Sequence, residues 1–189
     1  MAKKKEQKEE NKKGLKHNSE LIGLLLLLLS IIGFGKFGIV GEIISGFSIF
    51  LFGSWWIVGL IMLFASGLYM TINRKEVEFF GMKQIGIYIL MIGVLVLSHI
   101  NFVVANNLNL IDTVKDTVDQ LILAFRGNIE ASGGGIIGVL FSILFEKLFS
   151  ITGTKIVSMS FIIFEIIIFF NVSLIDGIKL IINKIKGMR

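Results

Sequence analysis

Four long apolar stretches alternate with short polar breaks along this chain, at 21–40, 54–73, 84–104 and 156–174. Each is about 20 residues long, enough for an α-helix to cross a bilayer core of about 30 Å. The pattern predicts an all-α integral membrane bundle of four transmembrane helices, occupying 20–174. Two shorter apolar segments lie outside the crossings, at 41–52 and 135–149. Segments of that length suit interfacial or re-entrant helices better than crossings. Both begin alike, with Gly38-Ile39-Val40-Gly41 and Gly135-Ile136-Ile137-Gly138. The match suggests a repeated unit of crossing, short helix, crossing, a common device in membrane proteins.

The outer loop 105–134 carries Ile111, Val114, Val118, Leu121, Ile122 and Phe125 at helical spacing, with Asp112, Lys115, Asp116 and Asp119 opposite. This predicts an amphipathic helix, stopped at Gly127. It either packs on the ends of the crossings or offers a docking surface, and packing is the simpler reading. The last segment, 175–189, mixes Ile and Leu with Lys and reads as a cytoplasmic amphipathic helix. Residues 1–19 are charged and poor in apolar groups, so a disordered basic tail is expected there.

Charge sets the orientation. Of 19 Lys and Arg residues, fourteen fall in the amino-terminal tail, the 74–83 link and the carboxy-terminal end. The positive-inside rule then places both termini in the cytoplasm, with Trp55 and Trp56 in the outer aromatic belt. The amino-terminal basic run followed by leucines lacks the small residues of a signal-peptidase site, so an uncleaved first helix is expected. Hydrophobic residues make up 54% of the chain, which excludes an ordinary soluble domain. The absence of cysteine excludes disulfides, thiolate metal sites and cysteine nucleophiles.

No catalytic constellation is present. His17 and His99 have no partner ligands at metal spacing, so no metal or other cofactor is expected. His99 reads as a hydrogen-bonded residue at a helix interface. The glycines of Ser132-Gly133-Gly134-Gly135 lack the lysine of a phosphate-binding loop, and Thr152-Gly153-Thr154-Lys155 lacks its first glycine. The chain is therefore read as no enzyme. Glu165 stands out because it falls in the middle of the fourth apolar stretch. An ionised carboxylate at the bilayer centre costs at least about 2.5 kcal/mol. The structural reading is a protonated acid hydrogen-bonded across a helix interface. The functional alternative is a station in a small proton- or ion-conducting transporter.

Several short motifs, taken in order, carry a family resemblance: Glu20-Leu-Ile-Gly-Leu-Leu, Phe37-Gly-Ile-Val-Gly41, Leu95-Val96-Leu97-Ser98-His99, Gly133-Gly-Gly-Ile-Ile-Gly138 and Thr152-Gly153. The chain resembles the amino-terminal membrane domain of the FtsK/SpoIIIE family of septal DNA translocases, most like the SpoIIIE branch. The resemblance implies four membrane helices with both termini inside, followed by a linker and a hexameric ATPase motor that moves DNA through the division septum. It implies a multi-pass anchor in the cytoplasmic membrane at the septum, serving chromosome partition in cell division or sporulation. The implied partners are further copies of the chain, a motor in cis or trans, membrane lipid and septal division proteins, with DNA met only through the motor. Gly133, Gly134, Gly135, Gly138 and His99 are candidate site residues on this basis. Glu165 departs from the plan, which leads one to expect a small or apolar residue there.

Overall fold

The computed structural model describes residues 2–78, 80–106, 110–127 and 131–169; for 2–17, 110–113 and 169 only the backbone is described. These residues are helical without a strand: α1 (Ala2–Phe34), α2 (Gly38–Phe52), a 3-10 turn (Gly53–Trp55), α3 (Trp56–Asn73), α4 (Met82–Ala105), α5 (Leu110–Phe125) and α6 (Gly135–Phe169). Among them, Gly38–Asn73, Met82–Ala105 and Gly135–Ile168 are apolar stretches long enough to cross a membrane, and Asn18–Phe34 is a shorter one.

The first apolar helix is shorter than the run 21–40 suggests. α1 ends at Phe34, where Phe37 N–H donates to the Ile32 carbonyl and Lys36 N–H to that of Gly33. Lys36 then turns the chain at φ 49°. Closing bonds of this kind satisfy carbonyls a helix end would otherwise leave bare. The apolar part that remains is about 25 Å long, near the lower limit for a span. Its outward side chains, Leu21, Leu24, Leu25, Leu28 and Ile31, are all exposed, as contact with lipid requires. At its other end α1 begins at Ala2, so helix occupies the tail expected to be disordered. The proline-free run of Ala, Lys, Glu and Gln there consists of strong helix formers.

Both of the longest apolar stretches are broken. α2 and α3 are separated at Gly53, and Ser48 Oγ donates to the Trp56 carbonyl at 2.6 Å. Eight residues along a straight helix lie about 12 Å apart, so the chain folds back at this break. α6 breaks at Ser150 (φ 60°, ψ 172°). The rings of Phe145 and Phe161 lie 5.9 Å apart across it, where a straight helix would separate them by about 24 Å. α6 is therefore two arms, 135–149 and 151–169, and neither break contains a proline.

These breaks give the two halves of the chain one plan. Gly38 (φ 60°) opens α2 and Gly53 (φ 59°) closes it; Gly135 (φ 64°) opens the first arm of α6 and Ser150 closes it after the same 15 residues. The buried Ser45 and Ser142 hold matching places, each donating to the carbonyl three residues back, on Glu42 and Val139. The four-residue match between 38–41 and 135–138 thus extends to whole helices.

Two antiparallel pairings dominate the packing, α4 with α6 and α1 with α3. Lipid gives no hydrophobic drive between helices, so close approach over small residues has to supply the attraction. Gly67 and Gly23 meet at the α1–α3 crossing, where a Cβ on Gly67 would stand 2.8 Å from the Gly23 carbonyl oxygen. Gly93 meets the Ser158 carbonyl at the α4–α6 crossing. At one end of α1–α3 an ion pair joins Glu20 to Arg74 at 3.0 Å. α5 packs on α2 through Leu121, Ala124 and Ile49, with Phe50, Trp56 and Ala131 around them. Its buried stripe is Thr117, Leu121 and Ala124, while Ile122 and Phe125 of the expected apolar face are exposed. Ile111 lies outside the described side chains. The expected helix is present, but it is turned toward α2.

Candidate functional site

The candidate glycines meet at a junction built from four separate pieces of chain. Ser54, in the turn after α2, donates its N–H to the Gly133 carbonyl at 3.1 Å and its hydroxyl to the Ala131 carbonyl at 3.1 Å. Ser132 Oγ donates to Gln120 Oε1 of α5 at 2.7 Å. The loop 131–135 is thereby tied to both the α2–α3 turn and α5. Its glycines then lie flat on their neighbours: Gly134 on the Leu95 carbonyl of α4, and Gly135 on the Leu51 carbonyl and the Gly53 nitrogen. A Cβ on Gly138 would reach 2.7 Å from the same Leu95 oxygen. Gly133 (φ 67°) takes a backbone conformation that side chains resist.

His99 sits under this loop. It is fully buried, a Cβ at Gly133 would lie 3.1 Å from its Nδ1, and its ring is tilted against Phe102 at 6.2 Å between centroids. The sequence reading made it a hydrogen-bonded interface residue. The structure buries it at the interface, but neither ring nitrogen has a hydrogen-bond partner among the described residues. Leu95, Val96, Ile100, Val103 and Val139 complete the buried surroundings. His99 fills the space beneath the loop.

Glu165 is not part of this cluster. It stands at the far end of the α4–α6 seam, its carboxylate pressed against Gly86. It shares a cavity of about 270 Å³ with Met82, Lys83, Gly86, Ile87, Leu90 and Ile168. Gly86 is four residues into α4, so Glu165 lies about one helical turn from the start of α4 rather than opposite its middle. The pairing of the helices, which the apolar window 156–174 could not reveal, sets that depth. Three hydroxyls turn back on their own helices, Ser30 donating to Leu27, Ser66 to Met62 and Ser160 to Ile156, whereas the buried Ser158 hydroxyl of α6 has no hydrogen-bond partner among the described residues. No group of metal-ligating side chains forms among the described residues.

The sequence reading missed two features. The Glu20–Arg74 pair was one. The other is a charged pocket between α2 and α5. A hint existed for the first, since antiparallel crossings must bring the start of α1 beside the end of α3.

No family profile matches the chain, and no solved structure matches it. Curated proteins do. The chain is 32% identical to the DNA translocase FtsK of Oceanobacillus iheyensis, over 99% of this chain and 25% of that protein. It is 28% identical to the DNA translocase SpoIIIE of Bacillus subtilis, over 95% of this chain and 24% of the relative. For the DNA translocase FtsK of Listeria monocytogenes the identity is 27%, over 94% of this chain and 23% of the relative. The chain therefore spans about a quarter of the length of the curated relatives it matches. Nearly all of it is homologous to one part of the FtsK/SpoIIIE DNA translocases, as the ordered motifs had indicated.

Proposed function

We propose that this chain is the amino-terminal membrane anchor of an FtsK/SpoIIIE-type DNA translocase. Four crossings, formed by 18–34, α3, α4 and the second arm of α6, hold both termini on the cytoplasmic side. α2, α5 and the first arm of α6 lie at the outer surface. The domain sits in the cytoplasmic membrane at the division septum and is not itself an enzyme. A motor, in cis or in trans, does the work on DNA. Holding weakly associating motors in one membrane patch raises their effective concentration and so favours ring assembly.

The observation that carries this reading is homology along almost the whole chain to about a quarter of proteins named DNA translocases, in a segment built of apolar helices. The position of Glu165 beside Lys83, about one turn from the start of α4, speaks against the transporter alternative. Deleting 20–174 from the native gene product should abolish septal localisation of a fluorescent fusion. Unchanged localisation would remove the anchor role.

A further inference from the structure

A cavity of about 390 Å³ opens between the start of α2 and the end of α5, lined by Lys36, Glu42 and Arg126 together with Ile39, Ile43 and Phe125. Three charged side chains on one cavity is an unusual arrangement in a chain this apolar. None of the three takes part in a salt bridge among the described residues, where the ion pair is Glu20–Arg74. Lys36 is held in place by Trp56, its Nζ 5.1 Å from the centre of the indole ring. That contact uses the face of the ring and leaves ammonium donors for a ligand. Arg126 is fixed at the terminus of α5, where its N–H donates to Ile122 and Gly127 turns the chain at φ 73°.

The pocket continues into an apolar ridge. Ile39, Ile43 and Phe47 fall on one face of α2 and are 76%, 53% and 61% exposed. Ile39 and Ile43 belong to both the ridge and the pocket. The pocket also lies at an end of the bundle, opposite the Glu20–Arg74 pair, since Lys36 follows α1 and Trp56 begins α3. Polar groups at a bundle end, beside an apolar ridge, match the boundary between headgroups and acyl chains.

We propose that this pocket binds the phosphodiester head of an anionic glycerophospholipid. Lys36 and Arg126 hold the phosphate, as cations hold phosphate elsewhere. Glu42 accepts a hydrogen bond from a headgroup hydroxyl, and the acyl chains run over Ile39, Ile43 and Phe47. Two cations and one carboxylate leave a single positive charge, which one phosphodiester neutralises. The site rests on the anchor reading only in requiring that the chain lie in a bilayer. Recovery of the protein in the membrane fraction checks that separately.

The test uses the full chain purified in detergent, with bound lipid counted by native mass spectrometry after incubation with phosphatidylglycerol. The wild type should retain one phosphatidylglycerol. Lys36→Gln and Arg126→Gln should each weaken retention by about tenfold, the effect of losing one charge-assisted contact. Lys36→Arg, which keeps the charge, should retain the lipid, and Lys115→Gln on the exposed side of α5 should change nothing. Wild-type protein should prefer phosphatidylglycerol to phosphatidylmethanol, which has the same charge and no headgroup hydroxyl; Glu42→Ala should remove the preference. Unchanged retention in both cation variants would overturn the site. Equal binding of soluble glycerol 1-phosphate would overturn the lipid as its source, and selective retention of a zwitterionic lipid would overturn the charge assignment. Circular dichroism of each variant separates loss of lipid from loss of fold.

Discussion

The two ends of the bundle are built differently. At the junction end, α2, α5, the loop 131–135 and the last turns of α4 interlock, and His99, Ile100, Val103, Leu121 and Val139 are almost wholly buried. At the Arg74 end the two helix pairs part. α3 and α4 share no extended packing among the described residues. A groove of about 600 Å³ separates them, lined by Tyr69, Val77, Glu78, Gln84 and Tyr88 and reaching toward the junction at Gly59 and Phe52. An exposed ion pair and the Glu165 cavity lie at this end too. The difference shows where cohesion resides: hydrogen-bonded glycine turns fasten the halves at one end, and only the seams within each half persist to the other. In the proposed orientation the fastened end is outside and the parted end is cytoplasmic.

This comparison is broken most severely at Gly134. A leucine there would drive its Cβ into the Leu95 carbonyl. Gly134→Leu should cost about 3 kcal/mol or more, the upper range for overpacking against backbone. Thermal unfolding in detergent should lose its cooperative transition, and limited proteolysis should separate the two halves. Next comes Gly67→Leu, which pushes α1 from α3 at their crossing. The expected loss is about 2 kcal/mol, with α4–α6 contacts intact by cysteine cross-linking. If both variants melt alike, the halves are not separately held.

His99→Leu sharpens the account from the other side. A buried imidazole without hydrogen-bond partners carries a desolvation penalty, so an apolar replacement of similar size should be neutral or stabilise by about 1 kcal/mol. A clear drop in melting temperature would mean that His99 has a polar partner. The smallest effect is expected from Glu20→Gln. The pair is exposed, and such pairs contribute about 0.5 kcal/mol, screened by salt. The melting temperature should fall slightly at low ionic strength and not at all at high.

Much of the helical layout was legible in the sequence because hydropathy reports on lipid contact residue by residue. The stretch 84–104 became α4 at Met82–Ala105, and the two short apolar segments became α2 and the first arm of α6. Hydropathy says nothing of backbone direction. The apolar run 21–40 continues through the turn at Lys36, so the end of α1 was invisible. Depth failed for the same reason: Glu165 was central in its window, and only the register against Gly86 moves it toward an end. The face of α5 was misjudged because Thr117 and Ala124, which are buried against the bundle, are less hydrophobic than Ile122 and Phe125, which remain exposed. Of the site, the glycines were legible as small residues, but not the three-way contact of Gly133, Gly134 and Gly135 with α4 and the α2–α3 turn.

The claim that the fastened end lies outside and the parted end inside can be measured directly, since the chain has no native cysteine. Single cysteines replace Lys115, on the exposed side of α5, and Lys75, in the link before α4, and intact cells are treated with a membrane-impermeant maleimide. The account predicts labelling at 115 in intact cells, and at 75 only after the membrane is permeabilised. Labelling of both positions in intact cells, or of 75 alone, would contradict it.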